Sequence, residues 1–262
     1  MELIATDKKF EALNTELNAP EQLLAYKRPY EDYHVQIIPR ILGTFLVWCG
    51  NFVYGHKPSY LKFRAVEVIA RIPYQSWSSA AYTLMTLFYA NEKKAMELSK
   101  LTQHARFSLD NETMHVIVVS HITKEHEKAG FFRHTFVPMV FAFFYFWWTY
   151  WFYLLRPRWS YELNYMFEQH AFDQYSEFIE TYEEELKKRP VSSEFLAWYG
   201  RHPRSQYEFF QSVRNDEIIH RNQSVGAIDF EADAKRIRFL RSSAAFIVLV
   251  VVIVIVSILL FT

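Results

Sequence analysis

Two Glu-x-x-His pairs are the residues of this chain whose types and spacing best suit metal chemistry. Glu112 and His115 form one pair, and Glu217 and His220 form the other. Residues three apart in an α-helix share a face, so each pair would present a carboxylate and an imidazole side by side. Carboxylate-bridged di-iron sites in four-helix bundles combine two such pairs with one glutamate from each of two further helices. The two glutamates that fit these places are Glu67 and Glu168.

The sequence around these residues makes the pattern specific. Glu-x-x-His alone is a weak signal, because about one such pair is expected by chance in a chain of this length. Four segments, however, resemble the iron-binding motifs of the alternative oxidases in the correct order. The first and third of them are closer to the plastid terminal oxidase branch than to the mitochondrial branch. These segments are VEVIARIPY at 66–74, NETMH at 111–115, FEQHAFDQY at 167–175 and RNDEIIH at 214–220.

The resemblance implies a role for each donor residue. Two iron ions would bind the four glutamates and two histidines, with Glu112 and Glu217 bridging the ions. Glu67 and Glu168 would each bind one ion, and each histidine would bind one ion. A redox-active tyrosine is implied at Tyr175, which lies seven residues, or two helical turns, after Glu168. The residues implied to orient the ligands are Asn111 and Asp216.

A quinol site is implied by the same family. The family has a basic residue five positions before the first glutamate ligand, and Lys62 has that place here. Gln174 replaces a residue that often carries a hydroxyl, and His170 departs from the mitochondrial Glu-Glu-Glu run. We expect His170 to pack beside the site and not to bind metal. The residues expected to line the quinol site are Lys62, Val66, Ala171 and Gln174.

The implied activity is that of a membrane-bound di-iron quinol oxidase, which reduces dioxygen to water without pumping protons. Ubiquinol and plastoquinol remain alternatives as substrate, and the mitochondrial inner membrane and the plastid thylakoid remain alternatives as location. A homodimer or membership of a larger membrane complex is also left open. Two rival functions stay in view: a di-iron quinone hydroxylase, and an oxidase-like structural subunit of a larger organellar respiratory complex.

Three apolar stretches predict contact with membrane lipids. If residues 135–155 crossed a bilayer once, the first Glu-x-x-His pair would be separated from the second, and no shared metal site could form. We therefore expect residues 135–155, which are rich in Phe, Trp and Tyr, to lie in the membrane interface. Residues 34–54 are expected to do the same. Residues 243–262 follow every ligand and a basic cluster, which predicts a single C-terminal transmembrane helix.

The predicted fold is therefore all-α: a ferritin-like four-helix di-iron bundle with two interfacial helices and a C-terminal transmembrane helix. Helices are expected at 59–90 (with an irregularity at Pro73), 92–121, 159–188 and 204–223. The formal net charge of zero argues against a nucleic-acid partner. The single cysteine, Cys49, excludes an intrachain disulfide and is expected to be a buried thiol. The expected units are an arm at 1–32, an oxidase domain at 33–228, and a basic linker and anchor at 229–262.

Overall fold

The computed structural model describes residues 7–238, and every regular element in that range is helical. The all-α prediction is confirmed for this part of the chain, while the predicted transmembrane helix at 243–262 lies outside it. In chain order the α-helices are α1 (Lys8–Glu16), α2 (Pro20–Lys27), α3 (Ile37–Tyr54), α4 (Tyr60–Ala70), α5 (Ile72–Phe88), α6 (Glu92–His126), α7 (Val137–Leu155), α8 (Pro157–Lys188), α9 (Glu194–Tyr199) and α10 (Gln206–Gly226). A 3-10 turn spans Arg28–Tyr30, a π-helical turn spans Phe132–Phe136, and residues 230–238 are also helical.

Side-chain caps fix the starts of three helices that carry predicted ligands. The Ser59 hydroxyl accepts a hydrogen bond from a first-turn N–H of α4, and Asn91 and Ser205 do the same for α6 and α10. Each cap satisfies a backbone donor that has no partner within its own helix. The local sequence therefore sets where these helices begin and, with that, the register of their inward faces.

Two helices replace the single helix that was predicted for residues 59–90. The chain breaks at Arg71, and α5 begins at Ile72 with Pro73 in its first turn. Proline has no N–H to donate to the carbonyl of Ile69, and its ring clashes with a continuing helix. The irregularity expected at Pro73 is thus an interruption of one residue, at Arg71, directly after the helix bearing Glu67.

An aromatic and aliphatic core joins the four helices that carry the predicted ligands. α8 packs along α10, and α6 packs against α4 and α5. Phe63 of α4, Val118 of α6, Phe178 of α8 and Phe210 of α10 belong to one buried cluster. Burying a side chain of this size stabilises the fold by about 1.5–3 kcal/mol. The core thus holds the four helices together beside the place where their acidic and histidine residues meet.

Helices α3 and α7 cover one side of this core and leave apolar faces exposed. α3 approaches α8 closely, because a Cβ atom at Gly43 would lie 2.8 Å from the Met166 sulfur. The outward face of α3 includes Trp48 and Phe52, which are 58% and 77% exposed, and α7 exposes Phe, Trp and Met side chains along its length. Among the described residues, α3 alone has the length and composition of a membrane-crossing helix. Cys49 on α3 is half-buried, so the expectation of a buried thiol is wrong.

The chain on either side of the bundle packs onto it. α1 and α2, within the segment expected to be a polar arm, contact α10. At the other end, the Arg156 guanidinium donates to both carboxylate oxygens of Asp233, at 2.6 and 2.8 Å. Arg236 donates to the carbonyl of Leu154 at 3.1 Å. The described part of the predicted linker, up to residue 238, is therefore fastened to the corner between α7 and α8.

Candidate metal centre

The six predicted donor residues meet at one place inside the protein. Glu67 lies on α4, Glu168 on α8, and the two Glu-x-x-His pairs lie on α6 and α10. No side chain in this set is more than 2% exposed. In each pair the carboxylate and the imidazole share the inward face of their helix, as the spacing of three residues requires. The residues brought together are Glu67, Glu112, His115, Glu168, Glu217 and His220.

The donors divide into two groups that share one carboxylate. The first group contains Glu67, Glu112, His115 and Glu217, and the second contains Glu112, Glu168 and His220. In each group the ligand atoms lie within 4.8 Å of one another. Around the His115 Nδ1 atom, carboxylate oxygens of Glu67, Glu112 and Glu217 lie at 3.7, 3.4 and 3.5 Å. Two neighbouring metal positions that share Glu112 are what this arrangement can provide.

Orphaned polar atoms show that these residues fit a metal pair. Both oxygens of Glu217, Glu112 Oε2, His220 Nε2, Glu67 Oε2 and His115 Nδ1 have no hydrogen-bond partner. His220 Nδ1 and Glu112 Oε1 lie 2.7 Å apart, but the angles between them do not suit a hydrogen bond. Leaving one buried donor or acceptor unsatisfied costs about 1–3 kcal/mol. Carboxylate and imidazole ligands suit iron. Four carboxylates also balance the charge of two divalent ions. Metal coordination would therefore give the unpartnered atoms a partner and neutralise the buried negative charge.

The electrostatics of the cluster lead to the same conclusion. Burial raises the pKa of Glu67, Glu168 and Glu217, and the neighbouring Glu112 carboxylate raises each of them further. Burial also disfavours the ionised form of Glu112, but the His115 and His220 rings lower its pKa. Without a cation the site must retain protons on several carboxyl groups. Metal binding would displace those protons.

A hydrogen-bonded network holds the outer side of His115. Its Nε2 atom lies 2.8 Å from Asp216 Oδ2, which leaves Nδ1 for the donor group. Asp216 also accepts hydrogen bonds from Asn111 at 3.1 Å, from Asn14 at 2.6 Å and from Arg201. Burial opposes ionisation of Asp216, but the Arg201 charge lowers its pKa well below the usual range. The structure thus places Asn111 and Asp216 beside His115.

Glu67 and Glu168 each accept a hydrogen bond from a buried tyrosine. The Tyr175 hydroxyl donates to Glu67 Oε1, and its ring stacks on Phe63 with 4.1 Å between ring centroids. The Tyr74 hydroxyl donates to Glu168 Oε1 at 2.8 Å. The Tyr175 hydroxyl therefore contacts a predicted ligand on another helix, Glu67 of α4, and not Glu168, two turns before it on α8.

Several residues of the site were missed by the sequence analysis. Asn164 donates to Glu168 at 2.9 Å and to Tyr74 at 3.1 Å, and Arg201 lies in the loop after α9. Tyr74 follows Glu67 by seven residues, just as Tyr175 follows Glu168, so the same spacing rule could have pointed to Tyr74. No local pattern in the sequence marks Arg201 or Asn14, because each reaches the site only through the tertiary fold.

A cavity leads from the face of α3 to the donor cluster. Its empty volume is about 780 Å³, including its open mouth. One wall comes from α3, and Glu67, Glu168 and Tyr175 lie at its inner end. All four residues expected at the quinol site line it, and so does His170, which belongs to neither donor group. The four are Lys62, Val66, Ala171 and Gln174.

Lys62 is the charged group of this cavity, and it is only 3% exposed. Its ammonium donates to Asn51 Oδ1 at 2.9 Å, to the His56 carbonyl at 3.0 Å and to Gln174 Oε1 at 2.5 Å. Burial lowers the pKa of Lys62 to about 8, against the opposing charge of Glu177. These three bonds occupy all three ammonium hydrogens, so Lys62 is a charged group fixed in the wall of the cavity.

Comparison with known proteins decides the family. A model of the family described as alternative oxidase matches residues 36–226, which is most of the chain. The chain belongs to the alternative oxidase family. The resemblance predicted from the four motifs is confirmed, and so is its closeness to the plastid branch.

This member of the alternative oxidase family is similar to "Ubiquinol oxidase 4, chloroplastic/chromoplastic" from Arabidopsis thaliana, to which it is 24% identical over 182 residues. The match covers 62% of this chain and 49% of the relative, so the chain spans about half the length of the relative it matches.

Proposed function

We propose that this protein is a membrane-bound di-iron quinol oxidase that reduces dioxygen to water. One observation carries the proposal: four buried glutamates and two buried histidines converge, most of them with atoms that lack a hydrogen-bond partner, beside a cavity lined by Lys62. Membership of the alternative oxidase family supports it. The description of the plastid relative as a ubiquinol oxidase supports it further.

The two donor groups would hold two iron ions. Glu112, which belongs to both groups, would be shared by the two ions, and the family resemblance implies Glu217 as a second shared donor; the remaining donors would each hold one ion. Iron bound there would supply the binding and stepwise reduction of dioxygen. Asp216 holds His115 so that Nδ1 faces the donors. The hydroxyls of Tyr175 and Tyr74 hold one oxygen each of Glu67 and Glu168.

The cavity would bind the quinol ring with Lys62 as a hydrogen-bond donor to a ring oxygen, which would take the place of one of the three protein acceptors that occupy its ammonium hydrogens. The methyl groups of Val66 and Ala171 supply an apolar surface, and Gln174 fixes the Lys62 ammonium at 2.5 Å. Tyr175 and Glu67 both line this cavity, and the Tyr175 hydroxyl, which donates to Glu67, is the group through which an electron and a proton could pass from the quinol. We therefore propose it as the redox-active residue.

The exposed faces of α3 and α7 would lie in one leaflet of the membrane. Both helices place Trp and Phe at their surfaces, as interfacial helices do. Tyr54 at the end of α3 donates to the Arg133 carbonyl at 2.7 Å, which joins α3 to the turn before α7. A site opening on one leaflet gives no path across the bilayer, so turnover would not pump protons. Residues 243–262 would add a single membrane span.

Location, quinol type and assembly complete the proposal. The relative's chloroplastic name favours a plastid membrane, with the mitochondrial inner membrane as the alternative, and either plastoquinol or ubiquinol, the quinol in that name, would be the substrate. Residues 33–228 would form the oxidase domain, with an arm before it and a linker and anchor after it. The chain would form a homodimer or would be one subunit of a larger membrane complex.

The two rival functions differ from the oxidase in the product released or in the need for buried carboxylates. A quinone hydroxylase would add oxygen to the ring, whereas the oxidase releases an unmodified quinone and water. A structural subunit would gain nothing from four buried carboxylates, two of which, Glu112 and Glu217, have no hydrogen-bond donor on either oxygen and are costly without a compensating bond. That observation favours a working metal site.

Iron analysis of one matched pair of variants tests the proposal. Glu217→Gln removes the charge of a bridging donor, and Glu162→Gln removes an equally buried carboxylate on α8 that accepts from Tyr33 and Arg158 away from the site. We expect two irons per chain in the wild type and in Glu162→Gln, and loss of iron and oxygen uptake in Glu217→Gln. A wild-type protein that binds no iron, or a Glu217→Gln variant with full oxygen uptake, would refute the proposal.

A further inference from the structure

Helix α1 reaches the metal centre through Asn14. This side chain is 5% exposed, and its amide nitrogen donates to Asp216 Oδ1 at 2.6 Å and to the Ser212 carbonyl at 2.8 Å. In return, the Asn215 side chain donates to the Asn14 carbonyl at 2.9 Å. Asn14 is therefore fixed on both its side chain and its backbone, and one of its bonds ends on the carboxylate that holds His115.

A second link from α1 passes through Arg201. The Arg201 guanidinium donates to both oxygens of Asp216, and its Nε and Nη2 atoms donate to the two oxygens of Glu11 at 2.9 Å each. A guanidinium held between two carboxylates is fixed in its plane and direction. Glu11 therefore fixes the arginine that in turn fixes Asp216.

These contacts determine the orientation of His115. Asp216 Oδ2 lies 2.8 Å from His115 Nε2, and this contact directs Nδ1 toward the donor group. α1 also covers the second histidine, because the Phe10 ring lies 5.6 Å from the His220 ring, centroid to centroid. α1 is thus packed over both histidines, but its polar contacts reach only His115.

We propose that α1 is part of the metal centre, with Asn14 and the Glu11–Arg201 pair as positioning residues that hold Asp216 and, through it, His115. This inference rests on the metal site of the proposed function. It extends that site by three residues and assigns a role to the N-terminal segment.

The geometry predicts that loss of these contacts affects one metal position more than the other. His115 belongs to the group with Glu67 and Glu217, whereas His220 belongs to the group with Glu168. Disturbing a residue that orients a metal-binding histidine typically weakens metal binding by about 10–100-fold. A positioning role therefore predicts that only half of the iron is lost quickly, whereas general loosening of the fold would release both ions faster.

The test is the rate of iron loss from the purified full chain to a ferrous chelator. Asn14→Ala and Glu11→Gln are the variants, and Glu16→Gln, an exposed position on the same helix, is the control. Glu11 is partly exposed, so that variant should fold even if Asn14→Ala does not. We expect two phases in each variant, with half of the iron leaving about 10–100-fold faster than in the wild type. Arg201→Lys, which keeps the positive charge, should lose iron more slowly than Arg201→Met.

The iron-release results separate the role of α1 from the proposed oxidase function. Wild-type rates of iron loss in both α1 variants would overturn the proposal, and so would an equal acceleration of both phases. A wild-type chain without iron would overturn this proposal and the proposed function together. A wild-type chain that holds iron, releases it in the predicted pattern and yet oxidises no quinol would retain the role of α1 and overturn the oxidase function alone.

Discussion

Replacing Lys62 with methionine should weaken quinol oxidation strongly while leaving the metal centre loaded. The variant keeps the length of the side chain and removes the buried ammonium, which is five residues from Glu67 and in neither donor group. A hydrogen bond from a charged donor contributes about 1.5–3 kcal/mol. Since 1.4 kcal/mol corresponds to about a factor of ten, losing one such bond to the quinol should lower kcat/KM by about 10–150-fold.

A second variant separates binding from stability. Lys62→Met leaves Gln174 Oε1 and Asn51 Oδ1 without their donor, so the fold should lose stability as well. Replacing both partners of a buried hydrogen bond with apolar groups can be nearly neutral. Lys62→Met with Gln174→Leu should therefore recover stability in thermal unfolding but not recover kcat/KM.

The assay is oxygen uptake against quinol concentration at matched iron content, as a function of pH. Because the Lys62 pKa is about 8, the ammonium is present below that pH, and its contribution is lost as the pH rises through about 8. Arg stays charged, so Lys62→Arg should not show this loss. Wild-type kcat/KM in Lys62→Met would refute the assignment of Lys62 to the quinol site.

Three further predictions follow from other contacts. Tyr175→Phe should keep its ring stacking and its iron but lose turnover, which single-turnover oxygen uptake would show; wild-type turnover would make Tyr175 a packing residue only. Asp233→Ala should lower the free energy of unfolding by about 3–5 kcal/mol, because Arg156 would remain as a buried, unpaired charge; unchanged unfolding would show that the linker does not need this pair. Deletion after Arg241 should leave iron content intact and ease release from membranes by alkaline carbonate; loss of iron would place the tail within the bundle.

Local motifs, together with the family resemblance that they carry, were sufficient to predict six residues that the structure brings together and the helices that bear them. A three-residue spacing fixes which face of a helix Glu112 and His115 share, whatever the rest of the fold does. Burying a carboxylate is costly unless it has a partner, so four buried carboxylates on separate helices must meet at one site. The four motifs therefore constrain how these helices pack. The all-α class followed from that constraint.

Features that depend on contacts between distant segments escaped the sequence analysis. The spacing of seven residues suggested that Tyr175 lies near Glu168, yet its hydroxyl contacts Glu67, and Tyr74 contacts Glu168. This crossing arises because α4 and α8 face each other across the site and because the chain breaks after Ala70. Likewise, α1 looked like a polar arm, since a single asparagine in a short polar helix gives no sign that it is buried.

The ratio of quinol oxidised to dioxygen consumed tests the central claim most directly. Reduction of dioxygen to water takes four electrons, and each quinol supplies two. The iron-loaded protein should therefore oxidise two quinols per dioxygen, release unmodified quinone and produce no peroxide. One quinol per dioxygen, with peroxide or a hydroxylated ring as product, would contradict the account.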